Sequence, residues 1–173
     1  MGKRSNFERN PRDYYKTPYE AVEPLLGFLA PGTEFVEPCA GDGALVRHLE
    51  AAGHTCIGAY DIEPRGPGII KEDSLKGTWA PGGEFITNPP WSRDILHPLI
   101  DHLRVQKPTW MLIDADWMHT KQAVPYLKNC LYIVSIGRVK WIEGSGMTGK
   151  DNCCWYFFEA LGGLQPVFFP RRL

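Results

Sequence analysis

The sequence predicts an α/β fold, one domain built on an open and mostly parallel sheet. Three observations lead there. The short apolar stretch 34–37 runs into the turn Pro38-Cys39-Ala40-Gly41-Asp42-Gly43 and then into a helical segment, 44–53. A second strand, 55–60, ends in an acidic residue, Asp61, about 20 residues past the glycine turn, the spacing that suits a grip on ribose hydroxyls. Strands and helices then alternate until two consecutive strands, 131–136 and 154–159, joined by a glycine-rich loop; such a pair predicts antiparallel pairing at one sheet edge.

In chain order, residues 1–13 carry Lys3, Arg4, Arg9 and Arg12 and read as a basic, flexible arm ahead of a domain spanning 14–173. Thr17 and Pro18 look like a helix N-cap followed by proline at the first helical position. Ala21, Val22, Leu25, Leu26 and Leu29 supply the apolar stripe of that helix, with Pro24 as a flaw and Pro31-Gly32 as its stop. In the segment 44–53, Leu45, Val46 and Leu49 share one face and Gly53 ends it. Residues 69–75 are a third strand candidate, in which Asp73 suits either an adenine amino group or the cap of the next turn. Phe85-Ile86-Thr87 is a fourth strand. A helix over 93–105 follows, with Ile95, Leu96, Leu99, Ile100 and Leu103 at helical spacing and an interruption at Pro98. Beyond it come a strand at 110–115, a short helix at 123–127, the strand 131–136, a glycine-rich loop at 144–151 and the aromatic strand 154–159.

A length of 173 residues suits one domain with a self-sufficient core. The net charge of −1 announces no nucleic-acid partner, so any such contact must use a local patch. Five cysteines without a C-x-x-C pair or a Cys/His cluster offer no metal site, and suit reduced thiols in a cytoplasmic setting. Adjacent Cys153 and Cys154 in a strand must face opposite sides. Residues 1–16 are too polar for a signal peptide, and no stretch is long and apolar enough to span a membrane.

The chemistry concentrates at Asn88-Pro89-Pro90-Trp91. The prolines lack N–H groups and have fixed φ, so the chain leaves the strand in a stiff, extended turn. The turn offers the Asn88 amide oxygen, the Pro89 carbonyl and the Trp91 indole. Two acceptors beside an aromatic plate suit a planar ring with an exocyclic NH2 group.

Asn88-Pro89-Pro90-Trp91, Tyr15-x-Thr17-Pro18 and the Glu37–Gly43 turn with Asp61 occur in an order that resembles the S-adenosylmethionine-dependent DNA adenine-N6 methyltransferases, above all the small phage-type ones. The resemblance runs from Tyr15 to about Phe158. It implies a Rossmann-like class I methyltransferase domain, a mostly parallel seven-stranded sheet with an antiparallel last strand, and S-adenosylmethionine as cofactor. It implies that Glu37, Ala40, Gly41 and Gly43 line the methionine moiety, that Asp61 with Ile62 and Asp73 hold ribose and adenine, and that Tyr15, Thr17 and Pro18 close over the methionine. Asn88, Pro89, Pro90 and Trp91 become the catalytic turn, with Asn88 also touching the cofactor.

One departure matters: there is no room for a separate target-recognition domain between Trp91 and Arg138. Weak or short sequence specificity, or a partner that supplies it, is the expectation. Candidate nucleic-acid contacts are the arm, Arg93, Arg138, Lys140, Lys150 and Arg171-Arg172, with Trp141 as a base-stacking group and Trp155 as a core residue. The tetrapeptide also occurs in enzymes acting on RNA adenine or protein glutamine. An idle module that binds cofactor or nucleic acid is the reading from a different class.

Overall fold

A computed structural model describes residues 14–141, 149, 151–163 and 165–171. The basic arm, most of the 144–151 loop, Lys150 and Arg172 lie outside the described residues. Eight strands form one sheet: β1 (Glu34–Glu37), β2 (Thr55–Asp61), β3 (Ile70–Lys71), β4 (Glu84–Thr87), β5 (Thr109–Asp114), β6 (Cys130–Arg138), β7 (Asn152–Phe158) and β8 (Val167–Phe169). Their spatial order is β3-β2-β1-β4-β5-β7-β6-β8. All neighbours pair in parallel except β7, which runs against both β5 and β6.

The seven-stranded expectation thus gains a strand, and the antiparallel pair is not at the edge, because β8 covers β6. At three residues β8 is too short for a periodicity to show. It is fixed by long-range packing, with Phe169 edge-on to Phe28 at 4.8 Å and to Tyr132 at 5.7 Å.

Each face of the sheet carries its own apolar layer. Helices α1 (Tyr19–Leu26) and α2 (Ala44–Ala51) bury Val22, Leu25, Leu45 and Leu49 against Phe35, Ile86, Leu112 and Trp155. On the other face α3 (Arg93–Arg104), a 3-10 turn (Ala115–His119) and α4 (Val124–Leu127) cover Phe85, Met111, Ile113 and Tyr156. Cys153 falls in the first layer and Cys154 in the second, as the two-residue period of a strand demands. Trp155 is fully buried, its indole N–H donating to the Ala21 carbonyl at 2.7 Å.

Helix α3 passes through Pro98 without interruption. An internal proline costs about 3 kcal/mol. Burial of Leu96, Leu99, Ile100 and Leu103, at roughly 1.5–3 kcal/mol each, outweighs it.

Two other expectations are corrected. Residues 69–75 yield only the two-residue β3, because Asp73 turns the chain by accepting the Leu75 N–H at 3.0 Å. Thr17 does not cap α1: Pro18 is the N-cap residue, no side chain caps the helix, and the Thr17 hydroxyl is engaged elsewhere.

Candidate active site

The chain runs from β1 outward through β2 to β3, then returns to place β4 on the other side of β1. Two crossovers leaving a strand in opposite directions open a crevice at its C-terminal end, where open α/β sheets bind ligands. Both marked turns sit there: the glycine turn follows β1 and Asn88-Pro89-Pro90-Trp91 follows β4.

The crevice holds a cavity of about 320 Å3. Its walls include Glu37, Ala40, Gly41, Asp61, Ile62 and Asp73 on one side and Asn88 and Pro90 on the other, with Tyr15 and Thr17 from the segment before α1. Pro18, Pro89 and Trp91 lie outside this lining, and Gly43 faces a groove between α2 and the β2–β3 edge.

The glycine turn is held by backbone donors. Asp61 accepts the Gly41 N–H on Oδ2 and the Glu63 N–H on Oδ1, both at 2.7 Å. This anchors the turn to the end of β2 and leaves further lone pairs on the carboxylate. Gly41 has φ +56°, and a Cβ there would stand 2.6 Å from the Tyr14 ring. Arg65 lies over the other part of this cover, its guanidinium carbon 4.0 Å from the Tyr14 ring centroid. Asp42 receives Lys16 at 3.5 Å and Arg47 at 3.3 Å.

Glu37 is 1% exposed, and its Oε2 has no hydrogen-bond partner among the described residues. Burial, then the negative charges of Asp61 and Asp42, push its carboxyl well above the ordinary carboxylate range, against the Val46 N–H that it accepts. A buried, unpartnered carboxyl oxygen in a cavity wall is a place for a positively charged or amino group of a ligand. Beside it, burial pushes the Cys39 thiol up to about 12 although the Ser74 hydroxyl lies within hydrogen-bond distance of it at 3.4 Å. That thiol is an unreactive wall element.

The second turn is built on side chains. The Asn88 Nδ2 donates to Thr17 Oγ1 at 3.1 Å, leaving the amide oxygen without a partner among the described residues. Trp91 donates its indole N–H to the Leu112 carbonyl at 3.0 Å and meets Trp141 edge-to-face at 5.6 Å. Trp141 also contacts Tyr15 at 6.1 Å, so three half-buried aromatic rings form a cluster beside Asn88.

The basic candidates are more scattered. Arg138 is exposed at the C-terminal end of β6, the same edge of the sheet as Asn88, and Lys140 is exposed two residues on. The guanidinium of Arg93, at the start of α3, hydrogen-bonds Gln122. Arg171 packs on Gly137 beside Arg138.

Tyr14 and Arg65 were not among the residues singled out from the sequence. A signal for Arg65 existed in Pro64-Arg65-Gly66-Pro67-Gly68, since a Cβ on Gly66 would meet the Asp42 carbonyl oxygen at 2.5 Å. Tyr14 had no signal beyond its neighbour Tyr15.

No protein-family model and no curated protein matches the sequence. Solved structures do match in fold. A protein from Pyrococcus horikoshii, provisionally described as an RNA methyltransferase, superposes with a TM-score of 0.61 at 14% identity, over 95% of this chain and 94% of that one. A protein from Listeria monocytogenes, provisionally described as a class I S-adenosylmethionine-dependent methyltransferase, gives 0.55 at 9% identity over 88% of this chain. The M protein of the type I restriction enzyme EcoKI gives 0.53 at 11% identity over 88%. The chain spans 62% of the length of the Listeria protein and 46% of the EcoKI M protein. The sheet therefore has the Rossmann-like fold of class I methyltransferases.

Proposed function

We propose that this chain transfers a methyl group from S-adenosylmethionine to the N6 amino group of adenine in DNA, with weak or short sequence specificity. The observation that carries the reading is the Asn88 amide at the cavity wall, its NH2 committed to Thr17 and its oxygen open, within Asn-Pro-Pro-Trp. The cavity fits the cofactor chemically. Glu37 offers a buried carboxyl with a spare oxygen for the methionine ammonium, Asp61 has spare lone pairs for ribose hydroxyls, and Gly41 allows close backbone approach. Ile62, Asp73, Ala40, Tyr15 and Thr17 line the same cavity and complete this assignment, with Pro18 and Gly43 outside the lining shaping the segments on either side of it.

When bound, the cofactor supplies a sulfonium-activated methyl group. What remains for the protein is position and charge. An adenine amine is a poor nucleophile because its lone pair is delocalised into the ring. The Asn88 Oδ1 and the Pro89 carbonyl accept its two N–H bonds, favour a pyramidal nitrogen and stabilise the positive charge that grows on it. Trp91, fixed by the Leu112 carbonyl and Trp141, is the plate for a base taken out of its stack. Arg138, Lys140, Arg93 and Lys150 are the proposed backbone contacts.

RNA adenine is the second reading, favoured by the end-to-end likeness to the Pyrococcus protein. Tritium transfer from labelled S-adenosylmethionine to duplex DNA, single-stranded DNA, RNA and bulk protein, followed by nucleoside mass spectrometry, tests both. N6-methyladenine in DNA is the expected product. Label in RNA alone moves the substrate and keeps the site, and label in none of them rejects the enzymatic reading.

A further inference from the structure

Thr17 is almost fully buried, at 5% exposure, yet its hydroxyl serves neither α1 nor a neighbouring turn. It receives the Asn88 Nδ2 at 3.1 Å across 71 residues of sequence. A free asparagine amide can rotate by half a turn and exchange its oxygen for its nitrogen. Rotated that way, Asn88 would present N–H donors to an incoming amine, which also brings N–H donors, and the two would repel. A hydroxyl can donate or accept; with the Thr17 oxygen accepting from the Asn88 NH2, as in the structure, the rotamer held is the one that leaves oxygen for the substrate.

We propose that Thr17 is a positioning residue for methyl transfer: its hydroxyl oxygen sets the amide of Asn88 with Oδ1 turned to the target amine. This rests on the proposed function and adds a coupling to it. Thr17 belongs to the segment that also brings Tyr15 to the cavity wall, with Lys16 paired to Asp42. The acceptor for the target amine is therefore set only while that segment lies across the cavity. The proline turn cannot supply this alone, because Pro89 and Pro90 have no N–H with which to hold the amide oxygen of Asn88 in any other pose.

The test compares wild type, Thr17→Val and Thr17→Ser in the same methyl-transfer assay, with cofactor affinity measured by calorimetry. Valine matches threonine in shape and lacks the hydroxyl; serine keeps it. The expected result is a kcat at saturating cofactor lowered roughly 10- to 100-fold in Thr17→Val, over and above any loss of cofactor affinity that its place in the cavity wall brings, and recovery of most of the activity in Thr17→Ser. In an active wild type, Thr17→Val at wild-type kcat, a loss confined to cofactor affinity, or a Thr17→Ser variant as slow as Thr17→Val each overturns the positioning role and leaves the functional reading standing. A wild type that labels no acceptor rejects the functional reading and this role with it.

Discussion

The two turns that frame the cavity solve opposite problems. The turn after β1 is made of glycines, and its N–H groups are spent inside the protein, Gly41 on the Asp61 carboxylate, Ala40 on the Tyr60 carbonyl and Gly43 on the Ala40 carbonyl. The turn after β4 is made of prolines, presents no N–H in its middle, and exposes oxygen acceptors. One accommodates by close approach, the other selects by stiffness. The difference teaches that the side proposed for the cofactor is shaped by close backbone approach and carboxylates, and the side proposed for the amine by acceptors on a stiff turn.

The most damaging test of that contrast removes an acceptor. Asn88→Ala is expected to lower methyl transfer by about 10²–10³-fold, with cofactor affinity little changed in a direct binding titration. Retained activity would sink the catalytic role of the proline turn. Altering the glycine turn should give the converse pattern. In Gly41→Ala a Cβ meets Tyr14 at a residue with φ +56°, so cofactor affinity is expected to weaken by about tenfold or more, the equivalent of roughly 1.4 kcal/mol. The kcat at saturating cofactor should fall far less, and a loss in kcat alone would erase the division of labour between the turns.

The smallest expected effect is a pH slope. Burial raises the Glu37 carboxyl well above its ordinary value of 4.5, so folding favours its protonated form. The folded state then keeps the proton that the unfolded chain loses, and stability declines as pH rises from about 4.5 toward the folded value. Glu37→Gln should flatten that decline in thermal melts between pH 5 and about 9. It should also remove a rise in cofactor affinity with pH that an ionised partner for the ammonium would give wild type. Parallel slopes in both proteins would show that Glu37 stays ionised.

Much of this was legible because it depends on local chemistry. The order of strands 1 to 7, the two turns and Asp61 follow from apolar runs, glycines and prolines that act within a few residues. What was not legible depends on distant partners. Thr17 reads as a cap because hydroxyls before a proline usually are, and only the fold brings Asn88 within reach. Strand β8 exists because Phe169 finds Phe28 and Tyr132. Tyr14 covers Gly41 because the first described segment returns over the sheet edge.

The interior place of β7 has a consequence for how the molecule is made. Strand β7 follows β5 and β6 in the chain, yet it fills the gap between them and its Trp155 holds Ala21 of α1. A nascent chain stopped before Asn152 leaves one edge of β5 and both edges of β6 unpaired, and α1 with no indole to dock on. The candidate crevice, whose lining all lies earlier in the chain, is thus backed by a strand that does not line it.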